Sequence, residues 1–335
     1  MQIDAYAAKA AKQSLERFAY QPDDLGPWDI EVAITHCGIC HSDIHLIDND
    51  WQFSRYPLVP GHEIIGTVTQ LGAQVAHLQK GDRVGIGWQR SSCLSCEWCQ
   101  KGEENMCLQN EATCNGHFGG FAKSIRADGR FAFKIPDNLA SENAAPLLCG
   151  GATVYSPLRL YDVKPSMRVG VIGIGGLGHL AVQFARAFGC EVTAFSSSPD
   201  KESEAKSFGA HHFVVGSDRG VFERGVRSLD FIISAVYADL DWGEYLKLLR
   251  PNGKLCFVGA ALGPVTTSLF PLLFGQLSIC GSVIGGRPAI AEMLEFAARH
   301  NIVAKTEAVP MDQVNSAIGR VRQGKARYRM VLVNQ

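Results

Sequence analysis

A glycine-rich turn near the middle of the chain is the feature that most constrains its fold. The turn reads Gly173-Ile174-Gly175-Gly176-Leu177-Gly178, and it lies between a short buried-strand pattern and a helical run of apolar residues. In such a G-x-G-x-x-G motif the glycines permit a tight turn and let a pyrophosphate approach backbone N–H groups at the helix N-terminus. The motif predicts a dinucleotide site, although glycine-rich turns of this kind also occur without a nucleotide.

Strand and helix patterns alternate around this turn. Such alternation is typical of a parallel sheet covered by helices, so we predict an α/β fold with a doubly wound parallel sheet. The first third of the chain is instead rich in strand and loop patterns. The predicted strands are 29–36, 64–71, 168–172, 191–195, 212–215, 231–234, 254–258 and 329–333, and the predicted helices are 180–188, 200–208, 241–249, 289–299 and 311–322.

The composition favours a globular protein that acts on small molecules. A length of 335 residues suggests about two domains, and 46% hydrophobic residues can supply a large core. The formal charge of -1 gives no reason to expect nucleic acid or an anionic membrane as a partner. No apolar run reaches the roughly 18 residues of a membrane span, and the first residues lack a secretory pattern. We therefore expect a cytoplasmic protein whose 11 cysteines are thiols or metal ligands.

Four cysteines lie close together in the segment SSCLSCEWCQKGEENMC. Their spacing, C-x2-C-x2-C-x7-C, lets four thiolates surround one Zn²⁺ in a closed site that serves structure and not chemistry. An iron–sulfur cluster has a related spacing but usually a shorter last gap followed by proline, and loop thiols without a metal are the other alternative. The predicted zinc ligands are Cys93, Cys96, Cys99 and Cys107.

A second set of metal-ligand residues is dispersed over the first half of the chain. A catalytic zinc typically takes three protein ligands from separate loops and leaves one position open, and Cys40, His62 and Cys149 suit that chemistry. Taken singly, Cys37 and Cys40 could instead form a redox pair, and His62 or Cys149 could be an ordinary core residue. The three segments are CGICHSD (37–43), GHE (61–63) and LLCGG (147–151).

The residues after the second predicted strand of the parallel sheet bear on the choice of dinucleotide. An NAD site calls for an acidic residue there, about twenty residues beyond the glycine turn, but this chain has Ser196. Hydroxyl groups and the ammonium of Lys201 suit a 2'-phosphate, which a carboxylate would repel, so we predict NADP(H). Asp200 is an objection to this prediction, and the serines could instead cap the following helix.

Together these motifs resemble the zinc-dependent medium-chain dehydrogenase/reductase superfamily, and within it the cinnamyl-alcohol-dehydrogenase-like branch, near bacterial NADPH-dependent aldehyde reductases of broad range. The resemblance covers essentially the whole chain. It rests on the four-cysteine segment and on CGICHSD (37–43), NDWQFSRYPLVPGHEIIG (49–66), PLLCGGATVYSPL (146–158), VIGIGGLGH (171–179) and RYRMVL (327–332).

The resemblance implies a domain organisation. A β-rich, GroES-like catalytic domain is expected from residues 1–147 and 286–335, with a Rossmann dinucleotide-binding domain inserted at 148–285. Relatives of this kind form homodimers through their nucleotide domains. The apolar segment LSICGSVIG (277–285) is therefore the candidate edge strand for that contact.

The resemblance also implies roles for individual residues near the dispersed ligands. Cys40, His62 and Cys149 match the catalytic zinc ligands, and Cys37 does not. Glu63 matches a carboxylate that can enter the fourth position. Further matches are Asp43, which orients the zinc histidine, and Ser42 and His45, which form the proton relay.

Cofactor and substrate positions follow from the same resemblance. Thr153 matches a threonine on the nicotinamide side, and Ser196, Ser197 and Lys201 match the 2'-phosphate positions. Either Arg327 or Arg329 is expected at the pyrophosphate, with Arg329 as our choice. Trp51 and Trp88 match residues that line the substrate pocket, although they could equally be ordinary core residues.

The implied reaction is the reversible reduction of aldehydes to primary alcohols with NADPH. Zinc would act as a Lewis acid, the nicotinamide would supply hydride, and Ser42 and His45 would supply the proton. One rival is an NAD-dependent enzyme that oxidises alcohols or polyols. Another is a zinc-stabilised nucleotide-binding or regulatory protein without catalysis. The balanced charge argues against a third rival, a zinc-ribbon nucleic-acid binder.

Overall fold

The computed structural model describes residues 2–216, 219–259 and 263–334. The chain divides into two compact units: Met1–Ala152 with Gly285–Gln335, here called the terminal unit, and Thr153–Ile284, here called the central unit. Within the described ranges, the helices all fall short of the length and apolar character that a membrane span requires.

The elements before the central sheet are mostly short strands. Hydrophobic residues on these strands are buried at alternate or consecutive positions, as in a sheet with one or both faces covered. In chain order they are β1 Ile3–Ala7, β2 Glu16–Tyr20, β3 Asp29–Ile39, α1 His41–Asp48, β4 Ile64–Leu71, β5 Arg83–Ile86, β6 Gln89–Ser91, α2 Glu97–Gln100, β7 Glu111–Ala112, β8 Ser124–Asp128, β9 Ala132–Lys134, α3 Ser141–Ala144 and α4 Gly150–Leu160.

The remaining elements alternate between strand and helix, as predicted. They are β10 Arg168–Ile172, α5 Gly178–Ala187, β11 Glu191–Ser196, α6 Glu202–Ser207, β12 His212–Val215, α7 Arg219–Arg224, β13 Leu229–Ser234, α8 Trp242–Lys247, β14 Leu249–Phe257, α9 Leu269–Gly275, β15 Ser278–Gly281, α10 Arg287–His300, β16 Thr306–Pro310, α11 Val314–Arg322 and β17 Arg329–Val333. Short 3₁₀ turns lie at Glu104–Met106, Gly129–Phe131, Ala145–Leu148, Pro199–Lys201 and Met311–Gln313.

The main sheet of the terminal unit joins both ends of the chain. Its strand order is β16-β17-β3-β4-β5-β9, and β8 also pairs with β3. The C-terminal strand β17 pairs antiparallel with β3, so that Met330 lies opposite Ile39, one residue before Cys40. This pairing brings a segment from the end of the sequence beside the first of the predicted zinc ligands.

The central unit contains a six-stranded sheet of order β12-β11-β10-β13-β14-β15, in which the neighbouring strands pair parallel. This is the 3-2-1-4-5-6 order of a Rossmann domain, and the prediction of a doubly wound parallel sheet is confirmed. In such a sheet the ligand lies outside the carboxyl ends of the strands, which is where the glycine turn follows β10.

The strand predicted at 254–258 begins earlier, at Leu249. Pro251, Asn252 and Gly253 suggest a turn in the sequence, and the pairing with β13 skips these residues and resumes at Lys254 with a shift of register. Asn252 adopts a positive φ of 66° there. The irregularity is therefore a bulge within the strand, and the preceding helix ends at Lys247.

Candidate active site

The N-terminus of α1 orients the first sulfur of the dispersed set. Cys40 is the N-cap residue, and its Sγ accepts a hydrogen bond from the backbone N–H of Ser42 at 3.5 Å. The side chain of Asp43, at the third helical position, accepts from the backbone N–H of Cys40 at 2.9 Å. This capping box fixes both the cysteine and the aspartate.

Asp43 also holds the histidine. Both side chains are completely buried, and His62 Nδ1 lies 2.9 Å from Asp43 Oδ1, which accepts a second hydrogen bond from the backbone N–H of Gly61. With Nδ1 engaged, Nε2 points at the Cys149 sulfur, 3.3 Å away. A carboxylate in this position fixes the tautomer and the ring orientation of a metal-ligating histidine.

The dispersed residues converge on one point in the terminal unit. The ligand atoms of Cys40, His62, Glu63 and Cys149 all lie within 4.8 Å of one another. The two sulfurs are 3.9 Å apart. A tetrahedral Zn²⁺ with Zn–S bonds of about 2.3 Å holds two sulfurs about 3.8 Å apart, so the donors are spaced for such an ion.

The buried groups of the cluster shift one another's pKa values. A hydrogen bond from the Cys149 thiol lowers the pKa of Cys40 well below its usual value, and the same bond raises the pKa of Cys149. Burial acts to lower the pKa of His62, but the charges of Asp43 and Cys149, with the hydrogen bond to Asp43, together outweigh burial and raise it well above its usual value. A divalent cation bound here would favour the deprotonated forms of these ligands.

Glu63 lies beside the cluster and pairs with Arg329 from β17. Arg329 Nη2 donates to Glu63 Oε1, and burial raises the pKa of Glu63 to about 7 against the opposing charge of the arginine. The other oxygen, Oε2, has no hydrogen-bond partner among the described residues. A Cβ on Gly38 would lie 2.0 Å from this oxygen, so glycine is required where β3 passes the carboxylate.

The two predicted relay residues lie on α1. Ser42 and His45 are three positions apart and therefore share one face of the helix. His45 Nδ1 lies 2.7 Å from Asp50 Oδ2, and its side chain keeps 18% of its surface exposed. An imidazole held by a carboxylate at a partly exposed position can exchange a proton with solvent.

Aromatic rings cover one side of the cluster. The ring of Trp88 meets the His62 ring edge-on, with centroids 4.9 Å apart. Trp51 packs against Trp88 at 6.3 Å and stacks with Phe53 at 5.6 Å. The two predicted pocket residues therefore lie together, next to the histidine.

The four-cysteine segment forms a separate cluster. The sulfurs of Cys93, Cys96, Cys99 and Cys107 all lie within 4.8 Å of one another, and backbone N–H groups of Ser95 and Cys96 lower the pKa of Cys93 to about 6. Buried Glu104, within this segment, accepts from the backbone N–H of Arg287 at 2.9 Å and pairs with its guanidinium at 2.7 Å. These Glu104–Arg287 contacts hold the loop against the N-terminus of α10.

The glycine turn of the central unit has the backbone geometry of a phosphate cradle. Gly173 has a φ of +87°, and a Cβ on Gly178 would lie 1.8 Å from the Gly173 oxygen, so both need glycine for the turn itself. Around Gly175 no non-neighbouring heavy atom of the described residues lies within 4 Å of a Cβ position. The space at Gly175 is open, which suits the close approach of a pyrophosphate.

The predicted 2'-phosphate residues follow β11. Ser196 is buried and its Oγ accepts from the backbone N–H of Ser198 at 3.1 Å, while Ser197 is exposed. The Lys201 ammonium donates to the Ile174 oxygen of the glycine turn at 2.7 Å. Ser198 makes no capping bond to the next turn in the described part of the chain, so the helix-cap alternative lacks support there.

The two remaining predicted cofactor residues belong to different units. Thr153 is buried in α4. Arg329 is 5% exposed and engaged with Glu63, so its guanidinium lies beside the metal-ligand cluster and belongs to the terminal unit.

Three residues beside the clusters escaped the sequence reasoning. Cys114 is buried with its sulfur within 4.8 Å of the ligand atoms of Asp43 and His62. Gly38 makes room for Glu63, and Glu104 anchors the four-cysteine segment. The sequence carries no periodicity that would relate Cys114 to His62. The positions of Gly38, between Cys37 and Cys40, and of Glu104, inside the four-cysteine segment, were signals that the sequence did contain.

Two family models match this chain. The alcohol dehydrogenase GroES-like domain matches residues 26–137, and the zinc-binding dehydrogenase family matches residues 176–299. The aldehyde reductase AdhA of Synechocystis is 47% identical over 98% of this chain and 98% of its own. The mannitol dehydrogenase of Petroselinum crispum is 43% identical over 95% of this chain and 97% of its own.

Solved structures resemble the whole chain. The cinnamyl alcohol dehydrogenase SbCAD4 of Sorghum bicolor superposes with a TM-score of 0.96 at 38% identity, covering 99% of this chain and 98% of the other. The structure of CAD from Helicobacter pylori, complexed with NADP(H), superposes with a TM-score of 0.92 at 34% identity, covering 99% and 98%.

Proposed function

Because this chain belongs to the zinc-dependent medium-chain dehydrogenase/reductase superfamily, in its cinnamyl-alcohol-dehydrogenase-like branch, we propose that it reduces aldehydes to primary alcohols with NADPH. Membership makes it a zinc-dependent alcohol and aldehyde oxidoreductase. The finer proposal rests on one observation above all: the buried convergence of Cys40, His62 and Cys149 beside Glu63.

The donor sets fit two zinc ions of different kinds. Cys40, His62 and Cys149 would hold the catalytic ion, with Glu63 able to enter the fourth position. The four-cysteine segment would hold a structural ion. When bound, the catalytic zinc supplies a Lewis acid for the carbonyl oxygen, and the nicotinamide supplies hydride.

The protein's own groups would orient the ligands and move the proton. Asp43 keeps His62 in the tautomer that presents Nε2, since its carboxylate lies at Nδ1. Ser42 would pass a proton to the substrate oxygen, and His45, held by Asp50, would exchange that proton with solvent.

NADP(H) is the proposed dinucleotide. The open space at Gly175 suits the pyrophosphate, and Ser196, Ser197 and Lys201 offer hydroxyls and a positive charge for a 2'-phosphate. Thr153 would contact the nicotinamide side and Arg329 the pyrophosphate. The Helicobacter pylori relative was solved with NADP(H), which supports the same choice here.

The proposed substrates carry an aromatic or medium-length aliphatic group. Trp51 and Trp88 would contact that group, because their rings pack beside His62.

The test is a panel of aldehydes of graded length and aromaticity, with initial rates measured for NADPH and NADH in both directions. The proposal expects NADPH-dependent reduction of several aldehydes, with NADH much weaker. A strong preference for NAD⁺ with alcohols or polyols would replace it with the oxidative alternative. Binding of NADPH without turnover of any compound would favour a regulatory protein.

We further propose a homodimer formed through the central unit. Four apolar side chains of α9 are largely exposed, and β15 lies at the end of the strand order. A second copy would cover these apolar groups and extend the sheet. They are Leu269, Phe270, Leu273 and Phe274.

Light scattering coupled to size-exclusion chromatography should give the mass of two chains, and Phe274→Glu should shift it to one chain. An unchanged dimer in this variant would place the interface elsewhere.

The proposed location of the protein is the cytoplasm, whose reducing conditions keep zinc-ligating thiols available. Cell fractionation would test this location.

A further inference from the structure

Two cysteines outside both zinc clusters lie side by side in the central sheet. Cys256 on β14 and Cys280 on β15 are register partners in a parallel pair. Register partners on neighbouring strands project to the same face, and the strands lie about 4.8 Å apart. Cysteines joined by a disulfide usually have Cα atoms about 4.4 to 6.8 Å apart, so the backbone spacing already suits a bond.

The surroundings give the two thiols different characters. Cys256 is fully buried, whereas Cys280 is partly exposed on the outermost strand. A hydrogen bond from the Cys256 thiol lowers the pKa of Cys280 to about 7, and the hydroxyl of Tyr161 assists. Tyr161 is held in place by its own hydrogen bond to the Gly281 oxygen, at 2.7 Å. An accessible thiolate beside a buried thiol is the arrangement of an attacking and a resolving cysteine.

We propose that Cys256 and Cys280 form a reversible dithiol–disulfide pair within one chain, oxidised by hydroperoxides. Neither the zinc chemistry nor the aldehyde reaction uses these residues, so the proposal is independent of the proposed function. Both sulfurs belong to the same chain, so the disulfide needs no residue of a second copy.

The chemistry balances in two steps. The Cys280 thiolate attacks the peroxide, a sulfur–oxygen bond forms as the oxygen–oxygen bond breaks, and the departing alkoxide takes a proton from water to leave as an alcohol. The Cys256 thiol then attacks the Cys280 sulfur, loses its proton, forms the sulfur–sulfur bond and releases water. The sulfurs lose two electrons, which reduce the peroxide.

The experiment treats the zinc-loaded protein with hydrogen peroxide at a few equivalents, blocks free thiols, and maps peptides by mass spectrometry without reduction. We expect a linked peptide joining Cys256 to Cys280 that disappears after dithiothreitol. Cys256→Ser and Cys280→Ser should each abolish it. The matched control is Cys190→Ser, which changes another buried thiol of the same unit and should leave the linked peptide intact.

Two results would overturn the proposal. One is alkylation of both cysteines after oxidation with no linked peptide in wild type. The other is a disulfide between two chains through Cys280, seen as a dimer on a non-reducing gel that survives in Cys256→Ser. In either case the two thiols would not act as a pair.

Discussion

Glu63 and Arg329 form a buried ion pair, although they are 266 positions apart in the sequence. The pairing of β17 with β3 brings the arginine to the carboxylate. Arg329 also leaves its Nε without a hydrogen-bond partner among the described residues. The charge of the arginine therefore opposes the burial that raises the pKa of Glu63 beside the predicted zinc ligands.

This pair predicts a non-additive effect on stability. Arg329→Gln leaves the Glu63 carboxylate buried without its partner, and removal of one member of such a pair costs about 3–5 kcal/mol. The double variant Glu63→Gln with Arg329→Gln should recover part of that loss. Urea unfolding of the wild type, both single variants and the double variant checks this. Strict additivity would mean that the two side chains are not coupled.

The Asp43–His62 hydrogen bond predicts a loss of metal affinity. Asp43→Asn keeps the shape of the side chain but offers the imidazole a neutral partner, and changes of this kind typically cost about 10–100-fold in metal affinity or activity. Competition with a chromogenic chelator measures the affinity. The exposed Asp137→Asn is the matched control. Equal zinc retention in both variants would contradict the assigned role of Asp43.

The serines after β11 predict a change of cofactor preference. An added carboxylate there would repel a 2'-phosphate. The repulsion between two like charges about 4 Å apart is about 1 kcal/mol in water and about 4 kcal/mol at a partly buried site. Ser197→Asp, at an exposed position, should lower kcat/KM for NADPH roughly tenfold or more while sparing NADH. Ser196→Asp should do the same at a buried position. Unchanged selectivity in both variants would remove the basis for NADP(H).

The Cys256–Cys280 pair predicts how the alkylation rate of Cys280 depends on pH. Because the thiolate is the nucleophile, alkylation of Cys280 by iodoacetamide should rise with pH around a midpoint of about 7. The Cys256 thiol is the largest cause of that value, so Cys256→Ala should move the midpoint upward, toward the usual value of about 8.5. Cys256→Ser keeps a donor and should move it less. Identical midpoints in the three proteins would show that the hydrogen bond is not made.

The sequence was most informative where local chemistry demands particular residues. The alternation of strands and helices and the glycine turn after β10 predicted the parallel sheet, since both are local patterns. The cysteine spacing likewise drew attention to the segment that the structure gathers into one cluster. Cys40, His62 and Cys149 were connected through family resemblance, because nothing in their spacing reveals that the fold brings them together.

Other features depend on tertiary contacts and had no local signal. The pairing of Arg329 with Glu63 is set by the register of β17 against β3, so nothing in the sequence predicts it. Cys256 and Cys280 become neighbours only through the register of β14 and β15. The position of Cys114 beside His62 likewise arises from a loop whose path follows no period.

Zinc content combined with turnover tests the central claim most directly. The account predicts about two zinc ions per chain in the wild type and about one in Cys149→Ala, with aldehyde reduction lost by more than about 100-fold and NADPH binding nearly intact. Cys190→Ala, at a buried cysteine outside both clusters, should keep two ions and full activity. Two zinc ions and unchanged turnover in Cys149→Ala would contradict the assignment of Cys40, His62 and Cys149 as the catalytic site.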